Sequence, residues 1–226
     1  MSQHGTAHLL GALCIIFLNL WIFFYPSKRS DRPTIYENRP DNTERQVMTI
    51  DIIAAAIREK QAYLRLHPET GDHPAAPASA QWMGGLRVVT RHANGIEVQT
   101  DMTTDLGGTG DQVPGAWLMR AGLASCVTTS IVRSAALEGI NLGKLEVEVN
   151  SRSDARGVFD VPDVDGKPVY VGPHYFGLTV KIGAEGVSDD RLRGLVRHGL
   201  QHSTVAATIQ NARPIDLQIN LETVTS

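Results

Sequence analysis

The chain has 226 residues, 42% hydrophobic, 20% charged and 6% aromatic, with 21 Gly and 11 Pro. This composition suits one or two globular domains and excludes a disordered or fibrous chain. Lys plus Arg number 21 against 24 Asp plus Glu, a formal charge of -3, so nucleic acid is not an expected partner. The two cysteines, Cys14 and Cys126, supply no disulfide framework, and a reducing compartment is the simpler setting.

The apolar run Leu9 to Phe24 carries no charge. As a helix it would span roughly 24 Å against a hydrocarbon core of about 30 Å. Residues 1–8 contain no Lys or Arg and no small-x-small site follows the run, so a cleaved signal peptide fits poorly. Two readings stay open. Residues 9–24 are a membrane anchor whose flanking Lys28, Arg29 and Arg32 hold the C-terminal side in the cytoplasm, or the true start is Met48, after the polar stretch 28–47. Both leave the body cytoplasmic, tethered to a membrane only in the first case. The expected division is residues 1–47 as apolar segment and linker, 48–80 as helix and linker, and 81–226 as the main domain.

Ile50, Ile53, Ile57 and Leu64 recur at helical spacing, which predicts a helix from Thr49, its N-cap, to about Leu66. Residues 68–80, with Pro68, Gly71, Pro74 and Pro77, read as a loop. Asn94-Gly95 is the turn of a hairpin between strands Leu86–Arg91 and Ile96–Thr100. Between Asp111 and Glu138 the only charges are Arg120 and Arg133, which predicts a helix apolar on most sides that belongs in a domain or dimer core and is closed by Gly139. Leu145, Val147 and Val149, then Phe176, Leu178, Val180 and Ile182, alternate with other residues as in half-buried strands, joined by the Asp-, Gly- and Pro-rich stretch 153–173. A helix runs from its cap Ser188 to about Ala212, and Ile215, Leu217, Ile219 and Leu221 mark a final strand. The order is an α+β plan.

This order resembles the OsmC/Ohr family of osmotically inducible and organic hydroperoxide resistance proteins over roughly residues 84–224. The resemblance is carried by Leu106-Gly107-Gly108-x-Gly110, a Pro opening the central helix, the small-residue run ending in Ala124-Ser125-Cys126, and the strand region GINLGKLEVEVNSRSDARG at 139–157. It implies an OsmC-like fold, with antiparallel strands around a buried central helix, and an intertwined homodimer with active sites at the subunit interface. It also implies a stress-response, peroxiredoxin-like peroxidase in which the Cys126 thiolate attacks the O–O bond of an organic hydroperoxide. In the family an Arg near the N-terminal strands stabilises that thiolate. Here Arg87 and Arg91 both qualify, with Arg133, seven residues beyond Cys126 on its helix, as a third candidate.

Two departures from the family stand out. Its catalytic Glu would fall at Pro114-Gly115-Ala116, where there is no carboxylate, and the closest acid is Asp111. Its resolving cysteine falls at Ser203, which cannot close a disulfide, so a small or protein dithiol must reduce Cys126 from outside. The rival reading is a non-catalytic dimer whose cleft binds an apolar ligand or partner. No cofactor is implied.

Other features read as structural. His198 and His202 are four apart on a helix but lack an HExxH arrangement and an evident third ligand, so no metal is expected. Gly107 to Gly110 lacks the Lys of a phosphate loop and reads as a mobile loop near the site. Asp160, Asp163 and Asp165 do not complete a calcium loop and read as a solvated turn.

Overall fold

The structure is a computed structural model that describes residues 42–222. The apolar run 9–24, with its anchor and start-site readings, and Cys14 lie outside the described residues. No helix among the described residues is long and apolar enough to cross a membrane.

The first helix, α1, spans Asn42–Leu66 and so begins seven residues before the Thr49 expected to cap it. No Gly or Pro interrupts residues 42–48, and the helix continues backwards through them. It packs on α2 (Gly115–Leu137), where Ile50, Ala54 and Ile53 meet Ala136. Arg58 donates to the Leu137 carbonyl at 3.2 Å and so satisfies one of the orphan acceptors at the end of α2.

The stretch expected to be a loop contains a strand, β1 (Ala78–Trp82), which pairs antiparallel with β2 (Val88–His92). Its five residues are all exposed, so no alternation of apolar and polar residues betrayed it. Strand β3 (Glu97–Thr100) completes the predicted hairpin, with the Asn94 side chain accepting from Ile96 N–H in the turn. This sheet and its connecting turns carry exposed Trp82, Leu86, Ile96 and Val98.

The second sheet pairs β4 (Lys144–Arg152) with β5 (Tyr175–Gly183) antiparallel, placing Leu145 opposite Ile182, Val147 opposite Val180 and Val149 opposite Leu178. That apolar face packs on buried Leu123, Val127 and Ile131 of α2 and on Leu195 of α4 (Asp189–Gln201). The two helices cross closely at Gly199, where an added Cβ would lie 2.5 Å from Ile131 Cγ1 and 2.9 Å from its backbone. Only one side of α2 is buried in the chain. Trp117, Met119, Gly122, Ser125, Thr129 and Arg133 remain exposed within the single chain.

The β4–β5 connection includes one short helix, α3 (Ala155–Val158), capped by Asp154, and Asp163 accepts from the N–H groups of Asp165 and Lys167 in a solvated turn. Ser188 caps α4 as expected. The single helix expected to reach Ala212 is instead two, because Ser203 is an N-cap: its oxygen accepts from Ala206 N–H at 3.3 Å and opens α5 (Thr204–Gln210). The expected final strand is absent. Ile215, Leu217, Ile219 and Leu221 are 72–93% exposed, and a strand needs a ladder partner that the described chain does not bring to them.

Candidate functional site

Cys126 lies midway along α2 and is half-buried where that helix meets the start of α5. Its Sγ is 3.4 Å from Thr204 Oγ1. Burial pushes the thiol up, but hydrogen bonds from the hydroxyls of Ser203 and Thr204 and from the N–H groups of Val205 and Thr204 outweigh it, leaving the thiol below its ordinary value. Ser203 is 1% exposed. Because its oxygen lone pair accepts from Ala206, its proton is left for the sulfur. The residue at the resolving-cysteine position thus both caps a helix and donates to the thiol.

The candidate arginines separate. Arg91 lies on the open face of the first sheet, bonded to Glu97 at 2.6 Å and Gln81 at 2.7 Å, so the surface accounts for it. Arg87 is the centre of a cluster. Its Nη2 donates to Asp101 at 3.2 Å, to Thr109 Oγ1 at 2.6 Å and to Asp111, while Nη1 donates to Gln99 at 3.3 Å. Hydrogen bonding and ion pairing with Asp111 and Asp101 raise the Arg87 pKa, against a smaller opposing effect of burial. The Thr109 hydroxyl, whose single proton the two carboxylates share, comes ahead of their other partners in holding Asp101 and Asp111 below the usual carboxylate range. Arg133 is exposed. Among the described residues no hydrogen bond or ion pair joins any of these three arginines to Cys126.

Asp101 is the site residue that sequence reasoning missed. It is 3% exposed and accepts from Met102 N–H, Thr109 N–H, the Thr109 hydroxyl and Arg87. The Gly-rich loop is built around it, not free: Gly108 approaches so closely that a Cβ there would lie 1.9 Å from the Met102 carbonyl oxygen. The start of α2 carries no carboxylate, and Pro114 caps it without a side-chain bond. Asp101 and Asp111 supply the acids that hold Arg87. The one sequence signal was an acid at a strand end six residues before a glycine-rich turn, which is weak.

A mixed fold of antiparallel strands and helices, with a half-buried cysteine in the central helix, defines the class to which the chain belongs. Residues 108–218 match the family model described as OsmC-like protein. These residues therefore form an OsmC-like domain. Its fold is that of the OsmC-like protein from Mycoplasma pneumoniae, at 15% identity over 62% of this chain and 91% of that one, TM-score 0.52. It is also similar to an organic hydroperoxide resistance protein OsmC from Legionella pneumophila (18% identity, 62% and 92% covered, TM-score 0.47). A third similar structure is the organic hydroperoxide resistance protein OhrB of Bacillus subtilis (20% identity, 61% and 93% covered, TM-score 0.41). No curated protein matches the sequence.

Proposed function

We propose that the chain is a thiol peroxidase that reduces organic hydroperoxides through Cys126, as a homodimer, with an external dithiol as reductant. The observation that carries this reading is the half-buried Cys126 thiol, held below its ordinary value by the donors of Ser203, Thr204 and Val205. The thiolate attacks the distal peroxide oxygen, so an S–O bond forms and the O–O bond breaks. The alkoxide leaves and takes up a proton to become the alcohol, and Cys126 becomes a sulfenic acid. One thiol of the dithiol then displaces water to form a mixed disulfide. Its second thiol releases Cys126 and closes the reductant's own disulfide.

Two faces support the dimer: the exposed side of α2, and the first sheet with its connecting turns, whose Trp82, Leu86, Ile96 and Val98 are uncovered. A second copy covers both, and the Arg87 cluster of one subunit then serves Cys126 of the other. Reduction by a dithiol places the reaction in a reducing compartment such as the cytoplasm.

The test follows consumption of cumene hydroperoxide with dithiothreitol in the full chain carrying Cys14→Ser, with and without Cys126→Ser. Turnover lost with Cys126, and a trapped sulfenic acid on it, are the expected results. No turnover with Cys126 still reduced would favour instead a non-catalytic dimer that binds an apolar ligand.

A further inference from the structure

Around Arg87 two donors face more acceptors than they have hydrogens. Nη2 carries two hydrogens but lies within reach of three acceptors: Asp101 at 3.2 Å, Thr109 Oγ1 at 2.6 Å, and Asp111. The Thr109 hydroxyl carries one hydrogen but faces two carboxylates, Asp101 at 2.7 Å and Asp111. Without Asp111 both counts balance: Nη2 gives one hydrogen each to Asp101 and Thr109, and the hydroxyl gives its own to Asp101. The charges agree. One guanidinium against two carboxylates leaves the cluster at -1, and without Asp111 it is neutral.

The two acids are held differently. The Asp101 side chain is 1% exposed and also accepts from the N–H groups of Met102 at 2.8 Å and Thr109 at 3.3 Å, so it stays in place. The Asp111 side chain is 55% exposed, and water solvates its carboxylate once it turns outward. Arg87 Nη1 donates only to Gln99, so Nε–H and the second Nη1–H meet no acceptor among the described residues. These are the donors open to a thiolate.

From this arrangement we propose that Asp111 is a releasable brake on Arg87, a positioning residue that sets how much of the guanidinium charge reaches Cys126. The inference rests on the reading that Arg87 of one subunit serves Cys126 of the other. With Asp111 in place, a thiolate approaching the open N–H groups meets a cluster of net negative charge. When Asp111 turns out to solvent its charge is screened, and the neutral unit of Arg87, Asp101 and Thr109 accepts the thiolate. The two acids therefore act in opposite directions: Asp101 anchors the cation, and Asp111 dampens it.

The experiment follows alkylation of Cys126 by iodoacetamide against pH in the full chain carrying Cys14→Ser. It compares this parent with Asp111→Asn, Asp111→Glu, Arg87→Gln, and Arg87→Gln combined with Asp111→Asn. Asp111→Asn should lower the midpoint and speed the reaction at neutral pH by about two- to fivefold, whereas Asp111→Glu keeps the charge and should match the parent. In the Arg87→Gln background the gain from Asp111→Asn should vanish. A midpoint that Asp111→Asn leaves alone or raises overturns the brake. So does an equal gain without Arg87, which would mark a charge effect that bypasses the guanidinium. Arg87→Gln reports on the underlying reading. If it leaves the midpoint unmoved, Arg87 does not serve the thiol and both ideas fall; if it raises the midpoint while Asp111→Asn has no effect, only the brake falls.

Discussion

Cys126 Sγ and Thr204 Oγ1 lie 3.4 Å apart although 78 positions separate them in the chain. The contact exists because the second long helix breaks at Ser203, which turns the start of α5 toward the middle of α2. Had the helix run unbroken, the N–H groups of Thr204 and Val205 would be spent on helical carbonyls.

Replacing Thr204 by Val removes one donor to the sulfur while keeping the side chain's shape. A hydrogen bond of about 1 kcal/mol shifts the thiol up by roughly 0.7 of a pH unit. Alkylation of Cys126 by iodoacetamide, followed against pH, should show a midpoint below that of a free thiol in the parent and a higher one in Thr204→Val. At neutral pH the variant should react about fivefold more slowly. Equal midpoints would show that Thr204 does not hold the thiolate.

Asp101 and Arg91 make a contrasting pair. Asp101→Asn removes the buried negative charge beside the Arg87 guanidinium and turns one of the two accepting oxygens into an N–H donor, whereas Arg91→Gln removes only bonds on the open sheet face. If Arg87 serves the thiol, misplacing it should lower kcat/KM by about 10- to 100-fold in Asp101→Asn. Arg91→Gln should stay within a factor of two or so of the parent. Matching losses in the two variants would mean that the cluster has no special role.

Ser203→Cys restores a thiol at a position whose side chain already bonds to Cys126. One equivalent of hydroperoxide should then give an intramolecular disulfide, seen by mass spectrometry as a thiol-free chain in the Cys14→Ser background. Loss of the helix cap should cost about 1 kcal/mol of stability in the reduced variant. A persistent sulfenic acid in place of the disulfide would show that the two sulfurs cannot meet.

Much of this was legible in the sequence because it rests on period and residue type. Alternation along Leu145–Val149 and Phe176–Ile182 located β4 and β5, and a lone Cys in a small-residue helix located the thiol. What was not legible depends on partners remote in sequence. β1 has no apolar alternation, since all its residues are exposed. Ile215 to Leu221 has alternation but no ladder. Asp101 matters only because Arg87 and Thr109 converge on it. The break at Ser203 was hidden because a serine on an apolar stripe fits a helix interior and an N-cap equally well.

The acid limit of stability offers a last check, at the β4–β5 connection. Hydrogen bonds from the Arg156 side chain and backbone, with its charge, lower the Asp154 pKa to about 2. An unfolded Asp titrates near 3.9, so the folded carboxyl binds its proton more weakly. The contribution of this pair is therefore complete above about pH 4 and is lost as pH falls from there through about 2. Carboxyl ¹³C spectra should place the Asp154 midpoint near 2 in the parent and closer to 4 in Arg156→Gln. A parent midpoint near 4 would show that neither the Arg156 side chain nor its N–H stays bonded to Asp154 in solution.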